Sequence, residues 1–506
     1  MAEQTSTSPV PAPESVTGVQ LAQGIGQQEA KGFWADAWSQ VFKRPGAVIG
    51  MCWVGVVLFF AIYSPILASG HPLLMKKVDE TGKMVTSSPL LEHLSSVDIG
   101  LMIGGILVPI FLLLPSRIIP LARSTRAIIV LAVGIQIGVA IVAAGIVDAQ
   151  FFKTRNITPG ALKFKNSPFA DFKLALMIGA GAAVLCSLLP MLRSWSLRGV
   201  VVGIAFLCSV GLLTLRWDTP LETFQYRQQQ AQGTVQATYT LIPFSPGQTS
   251  TRWFNQPPMT DIATVEGETY RPEMGNATFL LGTDVLGADV LTQLLHASRL
   301  SISIGLVSTG LALMIGITMG ALMGYFGGGV DMLLFRVLEV FMSVPVLFLL
   351  IVAAGVLPQE LRSTYVMMAI IGCFTWTGAA RFTRAEFMKL RNQDFVQSAK
   401  AVGLPLRAIM FKHMLPNGVT PVLVEASFMI ASAILIEAIL SFLGLGPVGQ
   451  PSWGKLLNNA TGEAGDFLWW LAIFPGGAIF FTVLSYNLIG EALRDAIDPK
   501  LRKARV

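Results

Sequence analysis

Charge is the scarcest resource in this sequence. Of its 506 residues only 13% are Asp, Glu, Lys or Arg, against the roughly 25% that a water-soluble domain spends on coating its surface. A chain so short of charge cannot face water over most of its area, which excludes an ordinary soluble enzyme of this length. Cysteine is nearly absent. Cys52, Cys186, Cys208 and Cys373 all lie in apolar runs with no close spacing, so neither a disulfide framework nor a zinc site follows. His71, His93, His296 and His413 are scattered. No His/Asp/Glu cluster and no nucleophile–base set stands out, which argues against a membrane-embedded enzyme. The run Gly449-x-x-x-x-Gly454-Lys455 is nearly a phosphate-binding loop, but Leu456 stands where Ser or Thr must hold magnesium. No ATP site of the chain's own is expected.

What is abundant is apolar. Hydrophobic residues make up 53%, mean hydropathy is +0.62, and glycine (49) and proline (28) are plentiful, as membrane helices tolerate. Ten runs approach the roughly 20 residues that cross a bilayer: 46–68, 99–115, 127–147, 174–192, 199–215, 302–324, 333–356, 364–380, 419–444 and 467–490. The runs are too long and uniform for barrel strands, and only helices satisfy their own backbone in lipid. The expected fold is therefore an all-α polytopic membrane protein of about ten transmembrane helices.

Around these spans, residues 1–32 read as a disordered cytoplasmic tail and 33–68 as an amphipathic helix followed by the first span. Residues 97–216 read as a four-helix membrane unit, 217–281 as an external polar domain with a strand near Val235, Ala237, Tyr239 and Leu241, and 282–506 as the core. The net charge of +6 is read as cytoplasmic loop charge, not as a nucleic-acid footprint. Arg381, Arg384, Lys389, Arg391, Lys400, Arg407 and Lys412 crowd the loop 381–418, and Arg494, Lys500, Arg502, Lys503 and Arg505 end the chain. Both regions are assigned to the cytoplasm, and ten spans then place the N-terminus there too. Segment 148–173, with Lys153, Arg155, Lys163, Lys165 and Lys173, falls outside by the same parity against its own charge.

The loop 381–418 carries the most specific pattern. Gln397-Ser-Ala-Lys-Ala-Val-Gly403 reads as a short helix stopped by glycine, and His413-Met-Leu415-Pro416-Asn417 leads into the next span. Taken alone, this could be a solvated connector. Its spacing resembles the Glu-Ala-Ala, Gly, Ile-x-Leu-Pro loop of ABC importer permeases, with Gln397, Ser398, Ala399, Gly403, His413, Leu415 and Pro416 in the motif positions. Gln, Ser and His replace Glu, Ala and Ile. Leu281-Gly-Thr-Asp284-Val-Leu-Gly-Ala-Asp289-Val290 is similar to a signature of the dipeptide/oligopeptide branch, with Ala288 in place of Arg. Gly324-Tyr-Phe-Gly-Gly-Gly-Val-Asp331, Leu440-Ser-Phe-Leu-Gly-Leu-Gly446, Pro451-Ser-Trp-Gly454 and the run 486–499 follow in that branch's order.

The resemblance covers about 275–503 and, loosely, the first span. It implies a permease that moves a peptide or similar small solute across the cytoplasmic membrane. It further implies a second permease, two ATPase subunits that bind the ATP, and an external solute-binding protein as partners. Gln397, Ser398, Ala399, Gly403, Leu415 and Pro416 would then couple to an ATPase subunit, with Ala399 and Gly403 at the closest approach. The extra helices of 97–216 have no counterpart in the usual six-helix pattern and are expected to be peripheral.

Glu425 and Glu437 share the ninth span. Ionisable groups at that depth suggest function, yet twelve residues leave them about 120° apart around the helix and about 18 Å apart along it, so they form no paired acid. Glu437 could line or gate a pathway or fix helix packing. A proton-driven secondary transporter using both is the rival reading. Gly316, Gly320 and Gly324 form a small-residue ridge for close helix packing, and Arg336 and Glu339 an ion pair three residues apart.

Overall fold

The computed structural model describes residues 33–497 except 79–83, 95, 116–117, 119–122, 156–167, 188–194, 216–225, 227–228, 231–234, 267–276 and 462–466. The tail 1–32, the C-terminal Lys500, Arg502, Lys503 and Arg505, and the centre of the disputed loop 148–173 lie outside the described residues.

The chain begins with α1 (Phe33–Val41) and α2 (Pro45–Leu67). Ala37 and Val41 turn inward, and the Arg44 guanidinium pairs with Asp495 at 2.6 Å, fastening α1 to the far end of the chain. The inserted unit is α3 (Ser96–Leu113), α4 (Arg123–Arg155), α5 (Pro168–Ser187) and α6 (Trp195–Leu215). The core runs through α7 (Val290–Phe326), α8 (Gly328–Ser343), α9 (Val346–Val356), α10 (Thr364–Phe374), α11 (Thr377–Leu390), α12 (Asp394–Ala401), α13 (Thr420–Phe442), α14 (Trp453–Asn458) and α15 (Trp469–Ile497).

Among the described residues, α2, α7, α13 and α15 are long and apolar enough to cross a membrane, and the bent pairs α8–α9 and α10–α11 bring the spans to six. Among the described residues the four inserted helices contribute the shorter apolar stretches Val97–Leu113, Thr125–Ile141, Ala175–Leu185 and Arg198–Leu213. The expected count of ten is thus met by helix number, and by spanning length for six. Two expected spans are also reshaped. The run 333–356 is bent by 79° between α8 and α9, because Pro345 disfavours helix at Val344, which is extended. The run 364–380 bends by 43° and continues as helix to Leu390, so the connection expected from 381 starts ten residues later.

The centre of the core is the contact between α7 and α11. A Cβ on Gly316 would lie 2.7 Å from both the Ala379 Cβ and the Trp376 carbonyl; one on Gly324 would lie 2.5 Å from the Phe387 Cβ, and Gly320 meets Ala380 and Thr383 in the same way. The glycine ridge is therefore a packing surface, as expected. On the opposite flank α13 and α15 close around Ala431, Ile434, Ala438, Ile479 and Tyr486.

Outside the core, β1 (Leu74–Val78) sits between β2 (Met84–Ser87) and β3 (Val235–Thr238), antiparallel to both, with Met75 opposite Ser87 and Ala237. The alternation at 235 does become a strand. Strands β1 and β2 had no sequence expectation. The sheet joins the two ends of the insert, since the chain leaves it after β2 and re-enters at β3. Residues 242–266 and 277–279 add a small aromatic core of Phe244, Trp253 and Phe279, with Phe244 stacked on Phe279 at 4.9 Å. The insert touches the core where the Tyr63 hydroxyl approaches the Met102 carbonyl and where Arg299 of α7 pairs with Asp98 of α3 and donates to the Ala61 carbonyl.

Replacing Gly320 by Val forces a branched side chain into backbone contact. We expect it to separate α7 from α11 and to cost about 1–3 kcal/mol, the range for overpacking. Thermal unfolding in detergent should fall by several degrees for Gly320→Val and little for a control, Gly310→Val, whose Cβ meets nothing.

Candidate functional site

The connection between α11 and α13 is a small folded knob. After α11 the chain turns at 391–393 and forms α12. The helix ends as its sequence requires. Gly403 has φ +77°, Leu404 N donates to the Ala399 carbonyl at 3.1 Å, and Gly403 N donates to the Lys400 carbonyl at 2.9 Å. This paired closure needs a left-handed residue. A β-carbon at Gly403 meets no atom but costs about 1 kcal/mol or more in that conformation. A second helical run, 406–418, follows and contains a wide π-type turn over Ile409–Met414. Pro416 sits in the first turn of the α-helical segment Leu415–Gly418, where a missing N–H costs little.

The knob has its own core. Val396 and Ala399 of α12 pack on Ile409, Met410 and Met414 and on Phe387 and Leu390 of α11, with Ala321 of α7 beneath. Lys400 lies over the Tyr325 ring at 5.1 Å. Of the sequence-derived residues, Gln397, Ser398, Gly403 and Pro416 are exposed, and Leu415 is half-buried. Gln397 donates to the Arg391 carbonyl at 3.0 Å, an internal bond and not an outward one. Ala399 departs from expectation. It is 7% exposed and faces its own helix bundle, so it cannot be a point of closest approach to a partner. The physical reason is helical phase: Val396 and Ala399, three apart, share the apolar stripe.

The outward surface is made by residues that the motif match did not name. Val402 is 78% exposed, and Phe395, Leu404, Leu406 and Phe411 are exposed around it. Five large apolar side chains on one short loop form a patch of the kind that marks a protein-binding surface. The signal was present in the sequence as Val402-Gly-Leu404-Pro-Leu406, an apolar run inside an otherwise basic loop.

Two other candidates make internal hydrogen bonds. In the run 281–290, Asp284 is buried and accepts from Leu286 N (2.9 Å), Ala288 N (2.8 Å) and the Gln293 amide (2.7 Å). Asp289 caps α7, its carboxylate accepting from Thr292 N at 2.8 Å and Thr292 Oγ1 at 2.7 Å. Burial pushes the Asp289 carboxyl up to about 6, against the lowering pull of those Thr292 bonds. Glu437 is 0% exposed. It accepts from Ser441 Oγ at 2.7 Å and from Ser301 Oγ at 3.4 Å, bridging α13 to α7. Of its two open readings, helix packing is the one this geometry matches, because the carboxylate lines no open surface. Glu425 is half-buried on the cytoplasmic side, within the fields of Arg381 and Arg494. Arg336 and Glu339 do pair, at 2.6 Å on an exposed face.

Asp284→Ala should leave two backbone N–H groups and an amide without their acceptor. Each buried orphan costs about 1–3 kcal/mol. We expect the N-terminal end of α7 to loosen, read as faster proteolysis of the folded protein between 250 and 290, with the knob unaffected.

Comparisons with known proteins bear on both ends of the core. Residues 316–503 match the family described as binding-protein-dependent transport system inner membrane component, and residues 32–79 match the N-terminal membrane domain of oligopeptide transport permease C. The chain is 35% identical over 231 residues to a dipeptide transport system permease protein of Alkalihalophilus pseudofirmus, covering 45% of this chain and 74% of that one. It is 39% identical to a di/tripeptide transport system permease protein of Pseudomonas aeruginosa, covering 46% and 76%. A dipeptide transport system permease protein of Haemophilus influenzae is 32% identical over 308 residues, which take in 98% of that protein but 58% of this chain. Nearly the whole of that relative is thus represented here, and about two-fifths of this chain lies outside the match.

Proposed function

The chain belongs to the dipeptide/oligopeptide type of binding-protein-dependent ABC importer permeases, and from that premise we propose that it carries peptides across the cytoplasmic membrane by docking an ATPase subunit on the apolar face of its cytoplasmic knob. As a member it is a multi-pass inner-membrane permease subunit. It is not itself an enzyme, and it works with a partner permease, ATPase and solute-binding protein. The finer reading gives it one further permease, two ATPase subunits that hold all the ATP, and an external binding protein that delivers the peptide. The peptide assignment rests on the names of the relatives. Both termini are taken as cytoplasmic from the charge of 381–418 and of the chain end.

One observation carries the docking surface: the exposed patch of Val402, Leu404 and Leu406 stands on a knob whose core continues into α7 and α11. A partner that seats on the patch and moves therefore moves two membrane helices with it. Gly403 sets the turn that presents the patch. The carboxylate-to-amide change at position 397 removes a charge, while the shape of the knob is built without that residue.

The test is co-purification of the ATPase and peptide uptake by the reconstituted complex. Val402→Asp puts a charge at the centre of the patch and should release the ATPase or abolish ATP-driven uptake at normal membrane levels. Gly403→Asp should do the same through the turn, and Gln397→Glu should behave as wild type. Ala399→Arg is a poor probe, because it would break the knob's own core. Normal uptake by both Val402→Asp and Gly403→Asp would refute the docking surface.

The inserted unit is proposed to lie outside the transport path. Replacing residues 96–215 by a short flexible linker should leave binding of the second permease and the ATPase intact. Loss of either partner from a correctly inserted variant would make the unit part of the core.

A further inference from the structure

α8 is held unlike the other core helices. It is bounded by a joint at each end. At its start Gly327 and Gly328 both take positive φ, +65° and +52°, conformations open to glycine at little cost. At its end the extended Val344 and Pro345 break the span by 79° before α9. Between the joints Met332, Leu333 and Val340 are exposed. Leu338 is 0% exposed and packs among Met323, Trp376 and Ala380.

The first turn of α8 is gripped by charge. Arg384 of α11 meets Asp331 with two parallel bonds, Nε to Oδ1 at 2.6 Å and Nη2 to Oδ2 at 2.7 Å. Its guanidinium also lies 4.7 Å from the centroid of the Phe335 ring, one turn further along α8. A two-pronged Arg–carboxylate pair fixes orientation as well as distance, and the flat cation on an aromatic face adds to it. Arg391, at the root of the knob, lies against Gly327, 2.5 Å from where a Cβ would be. The grip therefore sits where α11 enters the cytoplasmic knob, and it holds a helix jointed at both ends.

We infer that α8 is a lever, turned at Leu338 and driven through the Asp331–Arg384 pair, that converts movement of the knob into a change of the α8–α9 bend. Rigid packing carries the movement along α7 and α11, because the glycine ridge leaves no slack between them. α8 has freedom that α7 and α11 lack, and the ion pair decides how that freedom is used. Asp331 and Arg384 are positioning residues; neither needs to touch solute or nucleotide. This inference rests on the proposed docking of an ATPase on the knob.

The test uses the full complex in proteoliposomes, with Cys52, Cys186, Cys208 and Cys373 replaced by Ser and spin labels at Met332→Cys and Val352→Cys, both exposed. The distance between the labels is measured with and without ATP, beside peptide uptake and ATP hydrolysis. In the otherwise unchanged chain the distance should shift with ATP. Asp331→Asn should lose the shift, and uptake per ATP hydrolysed should fall about tenfold, within the usual range of coupling between sites. Hydrolysis itself should persist. Asp331→Glu, which keeps the charge, should recover most of the uptake. If Asp331→Asn fails to accumulate, Arg384→Lys supplies the same comparison, since it keeps the charge but not the fork. A transporting complex whose distance never responds to ATP overturns the lever, as does a variant without the pair that keeps both the shift and full uptake. A complex with neither ATP-driven uptake nor a bound ATPase refutes the permease–ATPase reading instead.

Discussion

The closeness of α7 to α11 is the constraint on which the core depends. Three glycines in register let two backbones meet at distances that any side chain would forbid. In lipid, helices gain little from hydrophobic contrast, and close van der Waals approach takes its place. The consequence reaches both ends of the pair. At one end the same two helices floor the knob through Ala321, Phe387 and Leu390. At the other end α7 begins at the Asp289 cap and the loop around Asp284. A rigid pair with a structured element at each end behaves as one body, and movable parts have to be added to its flank.

The few charged groups are placed with the economy that a low-dielectric setting demands. An unanswered polar group in hydrocarbon is costly, and several of the charged groups described above are met at short range. Glu437 is held by two serines, Arg299 by Asp98 and a carbonyl, Arg384 by Asp331, and Arg44 by Asp495. Most of these contacts tie together segments far apart in sequence, so the scarce charge acts as a set of cross-links between helices that hydrophobicity alone would leave free to slide.

What could be read in advance follows from the range of each interaction. Apolar runs are local, and they located the body of every main helix, while the polar ends were missed: α7 begins twelve residues before the expected 302, and α11 ends ten residues beyond 380. The glycine stop at 403 and the ridge at 316, 320 and 324 are local too, and both hold. The break at Val344 was legible in Pro345 but was passed over inside a long apolar run. The orientation of Ala399 was legible in its spacing from Val396, where the resemblance to a motif outweighed helical phase. Pairings between distant residues could not be read. Asp331 with Arg384, and β1 with β3, depend on the completed fold, and the Lys76-Lys77 centre of β1 conceals a strand behind charge.

The three-stranded sheet imposes an order on biogenesis. Ser69 N bonds to Thr240 Oγ1 across a separation of 171 residues, and Lys77 pairs with Val235. The first partner leaves the ribosome long before the second. At a synthesis rate of about 5–20 residues per second, β1 waits on the order of ten seconds or more while four apolar helices pass into the bilayer. Until then β1 has a free edge on one side, exposed to any other strand nearby. Sheet closure is therefore a late event that has to wait until the whole inserted unit has been synthesised, and until then every nascent chain carries an open strand edge.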